Sequence, residues 1–366
     1  MRAVVLVGGE GTRLRPLTTT VPKPLLPIVG QAFLERQLSW LRSHGVDDVV
    51  LSLGYLPDAF QAHFPDARCN GVHLQYATEP YPLGTAGAIR FAAASAGIDE
   101  RFVVCNGDVL TTLDLSALLA FHVERAAEAT IHLTRVDDPS AFGVVPTHED
   151  GEVKAFVEKP PPGAAPTNWI NAGTYVLEPS VLDDVPPDLT VSIERETFPR
   201  MLEQGRRLFA HGTDDYWLDI GTPDKYLLAH LDVLAGRVGF PPAPGAREVH
   251  RGTWVVGTPH IAPDAVLTPP VFLDADAIVG SGAYLVSASV GVGAVIEAGA
   301  HVENAVVAAG ARIGPNARVV DSIIGPGAVV EDSAVVIDHS IVGAGARIDA
   351  GLALAGRRVQ HSAGAG

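Results

Sequence analysis

Residues able to handle phosphate gather near the start of the chain. Gly8, Gly9 and Gly11 break a short apolar run, Val4 to Val7, and Arg13 and Lys23 follow within the same segment. A strand that runs into glycines lets backbone N–H groups converge where no side chain intrudes, which suits an anion, a triphosphate above all. Arg13 and Lys23 add fixed positive charge. Asp108 is a second candidate, in Asn106-Gly107-Asp108 directly after the apolar run Phe102 to Cys105. A carboxylate just past a central strand suits Mg²⁺, a hard cation that takes carboxylate, water and phosphate oxygens. A bare Asn-Gly-Asp is otherwise a turn. A third candidate is the Pro/Gly loop Glu79-Pro-Tyr-Pro-Leu-Gly84-Thr85-Ala86-Gly87, which opens a helix whose N-terminus could meet an anion or a base.

The elements that must position these residues alternate. Val49 to Leu53, Val72 to Tyr76, Phe102 to Cys105 and Thr130 to Val136 read as strands. Between them, Phe33, Leu34, Leu38 and Leu41 recur at helical spacing up to a stop at Gly45. Further helices are predicted near Ala59, over Ala88 to Ala96, and over Ser116 to Glu128 with Leu118, Leu119 and Phe121 inward. Strand–helix alternation predicts a Rossmann-like, doubly wound α/β sheet whose ligands sit beyond the carboxyl ends of the strands. Phe142 to Val145 and Val153 to Val157 read as hairpin-like, and Pro160 to Pro166 as a loop able to close over substrate. Asn171 to Leu177 is a strand, Ser192 a helix N-cap, and Asp224 to Leu234 a helix.

After Lys225 the character changes: lysine disappears and small residues alternate with Val and Ile. Ser289-Val290-Gly291, Val306-Val307, Ser322 to Gly325 and Ser340 to Gly343 recur at steps of about 17–18 residues, a hexapeptide β-helix signature. The expected organisation is a catalytic domain over 1–238, a Pro-rich linker over 239–250 including Phe240 to Gly245, and a left-handed parallel β-helix over 251–366.

A net charge of −16 argues against a nucleic-acid polymer as partner, though not against a nucleotide, which needs only a local basic pocket. No apolar run is long enough to span a bilayer. Two cysteines, Cys69 and Cys105, are too few for a disulfide framework, and no signal-peptide pattern is present, so a cytoplasmic location is expected.

The string Gly8 to Thr18 followed by Pro22-Lys23-Pro24 closely resembles the signature of the sugar-1-phosphate nucleotidylyltransferases. The blocks Thr85-Ala86-Gly87, Ser192 to Pro199 and Trp217 to Pro223 most resemble the mannose-1-phosphate guanylyltransferases within that family. The resemblance implies transfer of a nucleoside monophosphate from an NTP to a sugar 1-phosphate, with Mg²⁺ held by Asp108 and Asp219. It implies nucleotide contacts at Val7, Gly8, Gly9, Gly11, Thr12, Arg13, Glu79, Gly84, Thr85 and Asp108. Sugar-side contacts follow at Asn106, Gly107, Gly143, Glu158, Lys159, Asn171 and Gly173, and catalytic roles at Arg13, Lys23 and Lys159. The Ser192 to Pro199 block is expected to be structural. Related uridylyl and thymidylyl enzymes commonly carry Gln where this chain has Glu79. A carboxylate only accepts hydrogen bonds, which suits the adjacent N1–H and N2–H donors of guanine, so GTP is favoured. The remaining departure is Glu10, a carboxylate beside a triphosphate, which is expected to point outward.

Other sugars or a cyclitol phosphate would present similar hydroxyl arrays. Two readings of a different class stand beside this one: acyl transfer on the β-helix with His301 or His339 as base, and a non-catalytic NDP-sugar-binding subunit. A homo-oligomer joined through the β-helix is also expected.

Overall fold

Strand β1, Arg2–Leu6, sits between two parallel neighbours, β2 (Asp48–Leu53) and a later strand over Phe102–Asn106, with Val4 in register with Val50 and Val104. Ala3, Val4 and Val5 are all buried, because helices cover both faces of a parallel sheet and leave no polar alternation. In this computed structural model, residues 1–239 and 241–360 are described. Phe240 of the expected linker and residues 361–366 of the expected β-helix lie outside the described residues.

Packing divides the chain into two compact units, one of residues 1–9 and 34–217, the other of residues 10–33 and 218 onward. In the first, β3 (Val72–Thr78) pairs parallel with β2, and β4 denotes Phe102–Asn106. Strand β5 (Ala129–Arg135) and the long β6 (Trp169–Leu177) run antiparallel, and β6 joins the parallel half through Tyr175 opposite Val104. Strand β7 (Leu208–Gly212) closes the far edge beside β5. The chain builds β1, β2 and β3 in one direction and then places β4 on the other side of β1. The reversal of strand order therefore falls between β1 and β4, where a doubly wound sheet opens a crevice at its carboxyl end.

Helices α1 (Phe33–Ser43), α2 (Pro57–His63) and α3 (Gly84–Ser95) connect the parallel strands, and Phe33, Leu34, Leu38 and Leu41 are fully buried as their spacing predicts. Helix α4 spans Leu115–Glu124, shorter than predicted, and its buried positions are Leu115, Leu118 and His122. Leu119 and Phe121 are only half-buried, which corrects the predicted inward face. An alternation of apolar types cannot reveal that a histidine goes inside. His122 does so because its Nδ1 lies 2.8 Å from the Thr130 hydroxyl and its Nε2 3.3 Å from Glu178. Ser192 is an N-cap as expected, its hydroxyl accepting from the Arg195 N–H at 3.2 Å, and the turn continues into α5 (Phe198–Glu203).

The second unit is built on a parallel β-helix. Tyr284, His301, Arg318, Val335 and Ala353 stack in register along one face, and Ile278, Val295, Arg312, Val329 and Arg347 along another. Inward residues form columns, such as Val279, Ile296, Ile313, Val330 and Ile348, each fully or nearly fully buried. Burying each such side chain contributes about 1.5–3 kcal/mol. Corners adopt left-handed backbone, as at Asn304, Asp321 and Asp338, where a short polar side chain tolerates it. Arg247–His250, within the expected linker, pairs antiparallel with Thr253–Val255 ahead of the first rungs. Helix α6 (Pro223–Leu234) packs on the strands Val266–Leu273, Tyr284–Val290 and His301–Val307. Residues 10–33 belong to this unit and form three single 3₁₀ turns, with Leu14, Ile28 and Val29 buried.

Candidate active site

In the first unit the carboxyl ends of β1 to β4 bring the expected nucleotide residues together. The Val7 N–H donates to the Ser52 carbonyl at 3.1 Å, and the Gly107 N–H to the Leu6 carbonyl at 2.9 Å. A Cβ on Gly107 would come within 2.7 Å of the Leu6 carbonyl oxygen, so glycine is required for β1 and β4 to end side by side. That fixes Asp108 next to the Val7–Gly8 turn. Gly8 lies against Gly54, and a Cβ there would stand 3.5 Å from Glu79 Oε1. Gly9 is exposed with open space around it.

Glu79 is half-buried and fixed from two sides. Its Oε1 accepts from the Ser52 hydroxyl at 3.3 Å and its Oε2 from the Leu83 N–H at 3.0 Å. Each oxygen keeps a second acceptor site, since an ionised carboxylate offers about four. The start of α3 is arranged differently from expectation. The N–H groups of Ala86 and Gly87 donate to the Val191 carbonyl at 2.9 and 3.3 Å, so these two donors do not face a ligand. The Thr85 hydroxyl is also engaged, donating to Glu194 Oε2 at 2.7 Å and accepting from the Ile193 N–H at 2.8 Å. Gly84 has a left-handed backbone and presses on Val191.

The expected sugar-side residues also converge in this unit. Gly143 pairs with Glu158 across a short antiparallel ladder. Lys159 Nζ and Arg195 Nη2 both stand 3.7 Å from Glu158 Oε1, so two exposed cations flank one carboxylate. Lys159 holds a left-handed backbone, φ 48°, unusual for a long side chain. Asn171 Oδ1 accepts from the Gly173 N–H at 3.0 Å, and its amide donates to the Tyr175 hydroxyl at 2.8 Å. Asn106 packs directly over Gly173, whose backbone (φ 75°) and lack of a side chain make the contact possible. The fully buried Tyr175 hydroxyl reaches Glu194 Oε1 at 3.5 Å, completing a chain Thr85–Glu194–Tyr175–Asn171.

The second unit holds the rest. Gly11 carries a left-handed backbone, φ 60°, and sits against Thr18 and the buried Lys23. The Thr18 hydroxyl donates to the Gly11 carbonyl at 2.8 Å, which closes the turn. Thr12 and Arg13 are exposed, and Glu10 points outward to pair with Arg15 at 2.7 Å. The Arg13 guanidinium lies over Gly221, beside Asp219 Oδ1. That Asp219 oxygen is buried and has no hydrogen-bond partner, while Oδ2 stands 3.7 Å from Lys225 Nζ. A buried carboxylate oxygen left unsatisfied is costly unless something electropositive occupies it. A hard divalent cation fits that need. Among the described residues no group of three or more His, Cys, Asp or Glu side chains is arranged to hold a metal ion.

A Nucleotidyl transferase family model matches residues 2–236, and a GMPPB C-terminal domain model matches residues 267–363. The chain belongs to the nucleotidyl transferase family. This nucleotidyl transferase is 43% identical over 282 residues to a mannose-1-phosphate guanylyltransferase of Mycobacterium tuberculosis, covering 77% of this chain and 75% of that one. It is 37% identical over 303 residues to mannose-1-phosphate guanylyltransferase 1 of Arabidopsis thaliana, covering 79% and 81%. HddC from Yersinia pseudotuberculosis, crystallised also in complex with GMP-PN, superposes with TM-scores of 0.55 and 0.54 at 32% identity. Each covers 63% of this chain and 97% of the other.

Four residues that touch the expected site residues were not themselves expected there. Glu194 and Arg195 lie in a block taken as structural, where only the placement of two charges inside a capping motif hinted at more. Tyr175 lay within the strand Asn171 to Leu177 with no role of its own. Gly221 lay within the block Trp217 to Pro223, of which only Asp219 was given a role.

Proposed function

We propose that this enzyme transfers GMP from GTP to mannose 1-phosphate, giving GDP-mannose and pyrophosphate. The observation that carries it is Glu79: a fixed carboxylate beside the Val7–Gly8 turn, with an acceptor site left on each oxygen for the paired donors of a guanine edge. The identity with mannose-1-phosphate guanylyltransferases supports the sugar and favours this reading over acyl transfer and over a non-catalytic subunit. His301, the candidate acyl-transfer base, already bonds Glu303 at 2.9 Å.

Val7, Gly8 and Gly9 contact the nucleotide with their backbone, and Gly11, Thr12, Arg13 and Lys23 grip its phosphates. Asp108 and Asp219 hold Mg²⁺, which supplies charge stabilisation to the phosphates when bound. Glu158 and Asn171 take sugar hydroxyls, with Gly143, Gly173, Asn106 and Gly107 shaping the approach. Lys159 orients the sugar phosphate so that its oxygen faces the α-phosphorus in line with the departing pyrophosphate. That oxygen is already anionic, so no general base is required. Arg13 and Lys23 neutralise charge that builds on the transferring group.

The proposed division is a catalytic portion over 1–238, a linker over 239–250 and a β-helix over 251–366, with Phe240 and residues 361–366 outside the described residues. The protein works in the cytoplasm, and no helix among the described residues is long and apolar enough to cross a membrane. It assembles with itself through the β-helix, whose early rungs expose Ile261, Val266, Ile278 and Tyr284. Mass measurement in solution tests the assembly. Pyrophosphate release from a grid of four nucleoside triphosphates against mannose, glucose, heptose and cyclitol 1-phosphates tests the reaction. GTP with mannose 1-phosphate is expected to give the highest kcat/KM, and a better pair elsewhere in the grid would replace the assignment.

A further inference from the structure

The segment that carries Arg13 and Lys23 has little structure of its own. It consists of three isolated 3₁₀ turns and one two-residue ladder, Pro27–Ile28 with Gln31–Ala32. Short turns of this kind are held by what they rest on. Within its compact unit this segment rests on the β-helix at both ends. At one end Gly30 abuts the Phe272 ring and the Asp274 carboxylate, with the Val29 N–H donating to His230 Nδ1 of α6 at 3.3 Å. At the other, Pro16 lies so close to Gly343 that a Cβ there would stand 2.8 Å from Pro16 Cγ.

These two anchors are far apart on the coil. Phe272 is in register with Ser289, then Val306, Ile323 and Ile341. Neighbouring strands lie about 4.8 Å apart, so the segment is strapped along roughly 19 Å of the stack. We propose that the β-helix is the seat of the phosphate-gripping segment, with Gly343 a positioning residue for Arg13. The inference rests on the reading that Arg13 and Lys23 grip the triphosphate, and it gives the β-helix a direct part in turnover.

Gly343 comes with an internal control. Ile324 and Val342 are in register, so Gly325 occupies the same place one rung earlier. A Cβ on Gly325 would stand 2.8 Å from the Val342 carbonyl oxygen, and one on Gly343 3.0 Å from that of Val359. Both crowd the next rung, but Gly343 also meets Pro16. Ala308 fills this column in the preceding rung, but a Cβ on Gly325 would also meet Gly343 C and Ala344 N at 2.9 Å, so Gly325→Ala strains the coil's own backbone without pressing on Pro16.

The test compares Gly343→Ala with Gly325→Ala by amide hydrogen exchange and by steady-state kinetics in the full chain. Gly343→Ala is expected to speed exchange across residues 11–19, lower kcat at least ~10-fold and raise the KM for GTP, leaving the KM for mannose 1-phosphate unchanged. Gly325→Ala, which crowds coil backbone alone, is expected to lower the melting temperature at least as far, yet to disturb exchange over residues 11–19 and kcat less than Gly343→Ala does. Adding Pro16→Ala to Gly343→Ala should recover part of the loss. Asp274→Ala, at the opposite anchor, should loosen residues 26–33. Unchanged exchange in both Gly343→Ala and Asp274→Ala overturns the seat, whatever the substrates prove to be. Wild-type protein inactive on GTP and mannose 1-phosphate would count against the assigned reaction alone.

Discussion

Arg13 and Asp219 meet over Gly221: the guanidinium of one and the buried, unpartnered oxygen of the other both crowd the point where a side chain on Gly221 would begin. Gly221→Ala therefore displaces Arg13 without touching substrate. Misplacing a catalytic group by about an ångström can cost on the order of 10²-fold in rate, so a kcat loss of that size is expected with the melting temperature nearly kept. Wild-type kcat in this variant would show that the guanidinium does not need its present position.

Removing a preorganised charge outright should be as severe. Asp108→Ala and Arg13→Ala are each expected to lower turnover at least ~10²-fold. Titrating Mg²⁺ into Asp108→Ala should demand a higher concentration for half-maximal rate. If both variants turn over normally, the phosphate-side assignment is lost.

Tyr175→Phe cuts the link between Asn171 and Glu194 without changing the bulk of a fully buried ring. One hydrogen bond contributes about 0.5–1.5 kcal/mol, so the KM for the sugar 1-phosphate should rise about 3- to 10-fold. The KM for the nucleotide should not move. Equal changes in both constants would mean that Tyr175 only supports the core.

Base choice is testable at Glu79. Glu79→Gln keeps the Leu83 N–H contact through its carbonyl oxygen but replaces one acceptor with a donor. The ratio of kcat/KM for GTP over UTP is expected to fall at least ~10-fold. A constant ratio would move guanine recognition to another group.

His132 supplies a pH-dependent stability. Burial, and then the nearby His211, push its imidazole down to about 3, and its Nδ1 has no hydrogen-bond partner. In the unfolded chain the ring takes up a proton near pH 6.5, whereas the folded protein keeps it neutral until about pH 3. Acidification from pH 7 to pH 5 thus favours unfolding by about 2 kcal/mol through this residue. Urea midpoints at both pH values should fall further for the wild type than for His132→Gln. Parallel losses would remove His132 as the source.

Much of the architecture is legible in the sequence because its signals are local. Val4, Val50 and Val104 announce buried strands by their apolar runs, and Val290, Val307, Ile324 and Val342 declare the coil by recurrence. What stayed hidden depends on partners distant along the chain. His122 is inside because Thr130 and Glu178 satisfy it, and Glu194 matters because Thr85 and Tyr175 reach it. Gly343 is indistinguishable from Gly325 until Pro16 is seen against it. Composition and periodicity carry none of these pairings.

The strap of residues 16–30 turns the coil into a gauge. A repeat protein can ordinarily gain or lose a turn at little cost, since each turn touches only its neighbours. Here an extra turn inserted between Phe272 and Gly343 would carry one fastening away from the other by a full strand spacing, and the short peptide between them would have to stretch or let go. Lengthening past Gly343, the last fastening, leaves that span unchanged, so the number of turns between the two fastenings is as much a constraint on the chemistry as any charged side chain.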